Sequence, residues 1–218
     1  MTSISGALDP RGTWAIIPVR GLERAKSRLG GPLDAEERHD LVSRLLSRAI
    51  SAATDSSRVA GTIVVSSDPA ALELARTSGA IPVSDRDRGL NPALDLARTE
   101  AVARGATAIV VLPGDLPWLD RETLDAVLGA AGDAAPGMAP LVALVPDRHG
   151  TGTNVLVLAP PDVIDFAFGA GSHAEHAARA TAAGATYAEL GGPLDVDLDT
   201  AEDLVLVEGL APGTIDVD

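Results

Sequence analysis

The chain has 218 residues, 46% of them hydrophobic and 22% charged, with no cysteine. That length is ample for one well-buried core and short for two full domains, and the missing cysteine removes disulfides, thiolate metal sites and a cysteine nucleophile. With 17 basic against 31 acidic residues, the formal charge of −14 argues against a nucleic-acid partner, which requires many cations facing phosphates. Trp14, Trp118, Phe166, Phe168 and Tyr187 are the only aromatic residues, too few for a base-stacking platform. No apolar run has the length of a membrane-spanning helix, and the first residues carry no secretory apolar region, so the cytoplasm is the expected compartment. Among the basic residues Lys26 is the single lysine.

Residues 1–12 lack periodicity and are expected to form a flexible lead to a domain over 13–208, with 209–218 as a tail. Thr13–Val19 (TWAIIPV) has the length and apolarity of a strand and empties into a polar loop, Arg20–Pro32. Asp34 with Glu37 forms a capping-box pattern ahead of a helix whose Leu41, Leu45, Leu46 and Ile50 recur at helical spacing. Gly61–Ser67 is predicted to be a strand, Pro69–Ser78 a short helix, Ala80–Ser84 a strand and Asn91–Arg104 a helix. Ala106–Leu112 (ATAIVVL) is the most apolar run and should lie at the centre of the sheet. A helix over Leu119–Ala131, strands Leu141–Val145 and Asn154–Leu158, a helix over His173–Gly184 and a strand Thr186–Leu190 follow. The acidic segment Asp195–Asp199 and a helix Ala201–Glu208 end the pattern. Strands alternating with helices imply a layered α/β fold, and the crowding of the later strands implies a mixed, mostly parallel sheet.

Ligands of open α/β sheets bind beyond the carboxyl ends of the strands, so the segments following each apolar run matter most. After the first strand, Arg20, Arg24, Lys26 and Arg28 fall close together beside Gly21, a patch able to hold a polyphosphate; alternatively it is a solvated arginine-rich turn. It is neither a P-loop nor a dinucleotide fingerprint. Asp115 in Leu112-Pro113-Gly114-Asp115 stands just past the central strand, placed either to hold a hard cation or to cap a helix. Asp195, Asp197 and Asp199 would share one face if their segment is extended, and carboxylates so close favour a cation between them; Asp199 is alternatively a cap of the last helix. The Gly-rich stretch Asp147–Asn154 and the segment Phe168–His173, with Ser172 as a hydroxyl donor, offer anion cradles or ordinary turns. His39, His149, His173 and His176 show no ligand spacing and are read as surface residues.

In order, IPVRGLERAKSRL, GLNPAL, LPGDLPWL, DRHGTGTNVL, FGAGSH and DVDLDTAEDL resemble the guanylyltransferases of deazaflavin-coenzyme biosynthesis, which act on 2-phospho-L-lactate or phosphoenolpyruvate. The resemblance spans about residues 13–208. It implies a single-domain, three-layer nucleotide-diphospho-sugar transferase (GT-A-like) α/β fold. It also implies site roles. Asp115, Asp197 and Asp199 would hold magnesium. Thr153, Gly169 and Ser172 would receive the phosphorylated three-carbon acid. Arg20 and Lys26, the implied catalytic cations, would lie along GTP, with Gly89, Leu90 and Asn91 near the guanine. Gly171 stands where some relatives carry an acidic residue, so the acid pocket can differ in detail.

The implied reaction moves GMP from GTP to the phosphate of the acid and releases pyrophosphate, with Mg2+ as cofactor and hand-over of the product to a downstream transferase. Phosphoenolpyruvate is the expected acceptor because the Ala- and Arg-rich composition suggests a GC-rich bacterium; 2-phospho-L-lactate and 3-phosphoglycerate are the alternatives. Rival readings are a sugar-phosphate or molybdopterin nucleotidyltransferase, whose Gly-rich loop RGLERAKSRL replaces, and a nucleotide-binding module without turnover. An NAD-binding protein would need a GxGxxG that the chain lacks.

Overall fold

The computed structural model describes residues 8–20, 33–86, 89–198 and 200–210. Among the described residues seven strands form one sheet: β1 (Thr13–Val19), β2 (Gly61–Ser66), β3 (Ile81–Ser84), β4 (Ala108–Val111), β5 (Leu141–Pro146), β6 (Thr153–Ala159) and β7 (Thr186–Glu189). The helices are α1 (Ala35–Asp55), α2 (Pro69–Thr77), α3 (Leu90–Ala103), α4 (Arg121–Ala134), α5 (Ser172–Ala182) and α6 (Ala201–Leu210). The capping box expected at α1 is present, with Asp34 accepting from the Glu37 N–H and the Glu37 carboxylate accepting from the Asp34 N–H. Helix α4 starts later than the apolar pattern suggests, because the Asp120 carboxylate accepts from the Thr123 N–H and fixes the boundary there. Leu119 is thereby left as a buried residue ahead of the helix.

Strand order is β3-β2-β1-β4-β6-β5-β7. β1 pairs in parallel with β2 and β4, β2 with β3, and β5 with β7, whereas β6 runs antiparallel to both neighbours. The sheet is thus mixed and mostly parallel, with the apolar run of β4 at its centre. Period-two alternation divides each strand between two buried faces. Ile17, Val64, Val110 and Val157 pack against α1, α2 and α4. Ile16, Ile63, Ile109 and Leu156 pack against α3 and α5. The result is a three-layer α/β sandwich in which every central strand is covered on both sides. A third apolar cluster joins Leu41 and Leu45 of α1 to Val196, Leu198 and Val207, and so holds the last helix and the segment before it. Among the described residues no helix is long and apolar enough to cross a membrane.

From β1 the chain builds outward through β2 and β3, then returns to the other side of β1 to form β4. That reversal creates a switch point between β1 and β4, where diverging connections leave a crevice at the carboxyl edge. β6, being antiparallel, brings its amino end to that same edge.

Candidate active site

An open cleft at this edge is lined by Pro18, Leu90, Val111, Pro113, Asp115, Thr153, Asn154, Phe168 and Asp197. Its walls come from the ends of β1 and β4, the start of α3, the start of β6, the loop before α5 and the segment before α6. One crevice therefore collects Leu90 from the expected nucleotide set, Asp115 and Asp197 from the expected metal set, and Thr153 from the expected acid set.

Two contacts hold the carboxylates on that crevice. The Leu198 N–H donates to the Asp115 carbonyl at 3.2 Å, tying the C-terminal segment to the loop after β4. Asn154, itself buried, donates from Nδ2 to the Leu194 carbonyl at 3.0 Å and anchors the same segment to β6. Val196 and Leu198 are buried, so the alternation of the extended stretch turns Asp197 the other way, toward the cleft. The common face expected for Asp195, Asp197 and Asp199 does not extend to Asp195. Pro193 starts a single 3-10 turn, Pro193–Asp195, and takes Asp195 off the extended segment. Asp199 lies outside the described residues. The capping role at α6 falls to Thr200: its hydroxyl accepts from the Asp203 N–H, and the Asp203 carboxylate accepts from the Thr200 N–H and hydroxyl. Arg148 pairs with the other oxygen of this buried carboxylate and so ties α6 to the β5–β6 loop.

Arg20 is exposed immediately after β1, and Lys26 lies outside the described residues. Gly89 is the cap of α3. The Asn91 side chain donates from Nδ2 to the Phe168 carbonyl at 3.1 Å, and its Oδ1 accepts from the Phe168 N–H at 2.9 Å. Its amide thereby positions the loop that carries Gly169, so any reading of a base at this point falls to backbone or to Leu90.

The Gly-rich loop between β5 and β6 is closed on itself. Asp147 accepts from the Thr151 N–H and hydroxyl, its carbonyl accepts from the Gly150 N–H, and its N–H donates to the Gly152 carbonyl. A Cβ on Gly152 would sit 2.6 Å from Asp147 Oδ2, so a side chain there would push that carboxylate off its present place. Burial pushes the Asp147 carboxyl up, and the hydrogen bonds its carboxylate accepts from the Gly152 and Thr151 backbone and the Thr151 hydroxyl together outweigh it and hold the group below its ordinary range. The N–H groups of Gly150 and Thr151 are engaged within the loop, which acts as a scaffold for Thr153 rather than as an anion cradle.

Gly171 precedes α5 with a left-handed backbone (φ 74°), a conformation that lets Ser172 begin the helix while turned inward. Ser172 is buried, and its hydroxyl donates to Thr153 Oγ1 at 3.3 Å. Gly169 adjoins Phe168 of the cleft wall. The three expected acid-site residues thus gather around the amino ends of β6 and α5.

Of the two α5 histidines read as surface residues, His176 is not one, and His173 is half-buried and engaged. His176 is fully buried, and its Nδ1 lies 3.0 Å from Thr153 Oγ1 while its Nε2 accepts from the Ala167 N–H at 3.1 Å. Ser172, His176 and Ala180 form the buried i, i+4, i+8 stripe of α5, and that spacing is the signal that could have revealed it. His173 Nδ1 lies 2.8 Å from the Gly150 carbonyl, and its Nε2 lies 2.9 Å from a Glu189 oxygen and 3.1 Å from the Tyr187 hydroxyl. It clamps the β5–β6 loop against α5 and β7. His39 and His149 are exposed as expected.

The layered fold with a crevice at its switch point is that of the nucleotide-diphospho-sugar transferases. A crystal structure from Desulfovibrio desulfuricans G20 assigned to that class superposes with a TM-score of 0.73 at 16% identity, covering 95% of this chain and 91% of that one. The family described as "Guanylyl transferase CofC like" matches residues 13–210. The phosphoenolpyruvate guanylyltransferase of Sphaerobacter thermophilus is 42% identical over 92% of this chain and 94% of its own length. That of Rubrobacter xylanophilus is 39% identical over 89% of this chain and 93% of its own. The chain belongs to this guanylyl transferase family and is a nucleotidyltransferase.

Proposed function

We propose that the protein transfers GMP from GTP to the phosphate of phosphoenolpyruvate, releasing pyrophosphate, as a step of deazaflavin-coenzyme biosynthesis. The observation that carries this reading is the single cleft lined by Leu90, Asp115, Asp197, Thr153 and Phe168. The names of the relatives support the nucleotide and the acceptor.

In the reaction an oxygen of the acceptor phosphate forms a bond to the α-phosphorus of GTP, and the bond from that phosphorus to the bridging oxygen breaks. A phosphate is already ionised at neutral pH, so no general base is required. The task left to the protein is to bring two anions together in line and offset their charge. Arg20 and Lys26, following β1, would do so along the triphosphate. Thr153, Gly169 and Ser172 would seat the acid.

The donor set fits magnesium: two carboxylates facing one crevice, from the loop after β4 and from the segment before α6, leave room for water and phosphate oxygens. Asp115, Asp197 and Asp199 would hold it, and when bound it would supply charge neutralisation between the reacting phosphates. The product is an activated diphosphate, suited to hand-over to a transferase that displaces GMP.

Pyrophosphate release from GTP and magnesium, measured with phosphoenolpyruvate, 2-phospho-L-lactate and 3-phosphoglycerate in turn, tests the proposal. Fastest release with phosphoenolpyruvate is expected. Faster release with another acid would overturn the acceptor and keep the reaction. No release with any acid, despite magnesium-dependent GTP binding, would favour the binding-module reading.

A further inference from the structure

We infer that His176, a buried residue outside the cleft wall, is a positioning residue that fixes the Thr153 hydroxyl as a hydrogen-bond donor toward the acceptor acid. The inference rests on the acid site proposed above and deepens it. A backbone N–H can only donate, so the bond from Ala167 makes Nε2 of His176 an acceptor and leaves the ring proton on Nδ1. Nδ1–H then donates to Thr153 Oγ1 at 3.0 Å. A hydroxyl has two acceptor lone pairs and one hydrogen. Ser172 Oγ–H takes the second lone pair of Thr153 at 3.3 Å. With both lone pairs filled from the protein side, the Thr153 hydrogen remains for a ligand in the cleft that Thr153 lines. A donor suits an anionic acid and disfavours a neutral or cationic one.

The surroundings hold the ring in this role. The His176 and Phe168 rings meet in a T-shaped contact at 5.1 Å between centroids, and Phe168 is itself a wall of the cleft. A protonated ring would set an Nε2–H against the Ala167 N–H, two donors facing each other in a dry interior. Burial, helped by the Arg179 charge, accordingly pushes the ring down to about 4, so it stays neutral at working pH.

The test compares His176→Phe, which keeps an aromatic ring but cannot donate, with His176→Asn, whose side-chain amide can still donate to Thr153. Thr153→Val and the Thr153→Val/His176→Phe double variant complete a cycle. His176→Phe should raise the acceptor KM on the order of 10- to 100-fold, as for a lost hydrogen bond to a charged group. The KM for GTP should stay within about twofold, and His176→Asn should restore most of the acceptor affinity. In the Thr153→Val background the His176→Phe change should add nothing, because its effect passes through that hydroxyl. An unchanged acceptor KM in His176→Phe, an equal rise for GTP, or additive effects in the double variant would overturn the inference. Nitrogen-15 NMR of the substrate-free wild-type protein gives an independent reading: the His176 proton should sit on Nδ1, and a proton on Nε2 would overturn the proposal. If the wild type releases no pyrophosphate with any acid, the functional reading fails while the NMR result still decides the tautomer.

Discussion

His173 and His176 stand three residues apart on α5, and their surroundings drive their protonation in opposite directions. The Gly150 carbonyl raises the pKa of His173, burial opposes it, and the Glu189 carboxylate and the Asp147 charge add to the rise. Burial takes His176 down to about 4, with Arg179 and the neighbouring His173 acting the same way and Glu175 opposing. For His176 the unfolded chain binds a proton near its ordinary value of 6.5, and the folded chain refuses it until about 4. Its contribution to stability is therefore complete above 6.5 and is lost as pH falls through that window. Chemical unfolding of the wild type should lose about 2 kcal/mol from this group between roughly pH 7 and pH 5. His173, with its raised value, works in the other direction, stabilising below its unfolded pKa and fading as pH rises. Measuring the same pH step in His176→Phe isolates the buried ring: the loss should shrink by about 2 kcal/mol, and an identical loss in both proteins would contradict the assignment. Spacing among the histidines alone could not have separated the two. What separates them is which one falls in register with Ser172 and Ala180, a property of the helix face and not of the residue type.

At the scale of elements, the central strands were legible because they are short apolar runs bounded by turn residues, and Asp34 with Glu37 announced α1. Helix starts were less so, since a carboxylate such as Asp120 can stand anywhere in a polar lead and sets the boundary only by finding the N–H it caps. The 3-10 turn before Asp197 was illegible for a related reason: an alternating acidic run reads as extended until Pro193 and buried Leu194 bend it. Cross-strand fit also lies below what a single sequence discloses. Gly61 pairs with Trp14 across β1 and β2, and a Cβ there would lie 2.6 Å from the indole. Gly61→Ala should therefore destabilise the protein by about 1–3 kcal/mol through overpacking, read as a lower denaturation midpoint. An unchanged midpoint would mean that the indole can move aside at no cost.

At the scale of the whole molecule, topology explains how an acidic protein can assemble the proposed site for anions. The reversal between β1 and β4 opens the crevice, and antiparallel β6 delivers Thr153 and Asn154 to the same edge. The cleft gathers carboxylates suited to a cation, while Arg20 stands exposed at the end of β1. The family and the α/β class were legible in the ordered segments of the sequence. The networks through Asn91, Asn154 and His176 were not, because each joins residues from distant parts of the chain. In this reading Asp115 serves chemistry at the cleft and not the stability of the loop after β4. Pyrophosphate release from GTP, magnesium and phosphoenolpyruvate, measured side by side for wild type and Asp115→Ala together with their thermal unfolding, tests it most directly. A loss of about a hundredfold or more in turnover, with the unfolding transition retained, is expected. Magnesium-dependent release by the variant at the wild-type rate would contradict it.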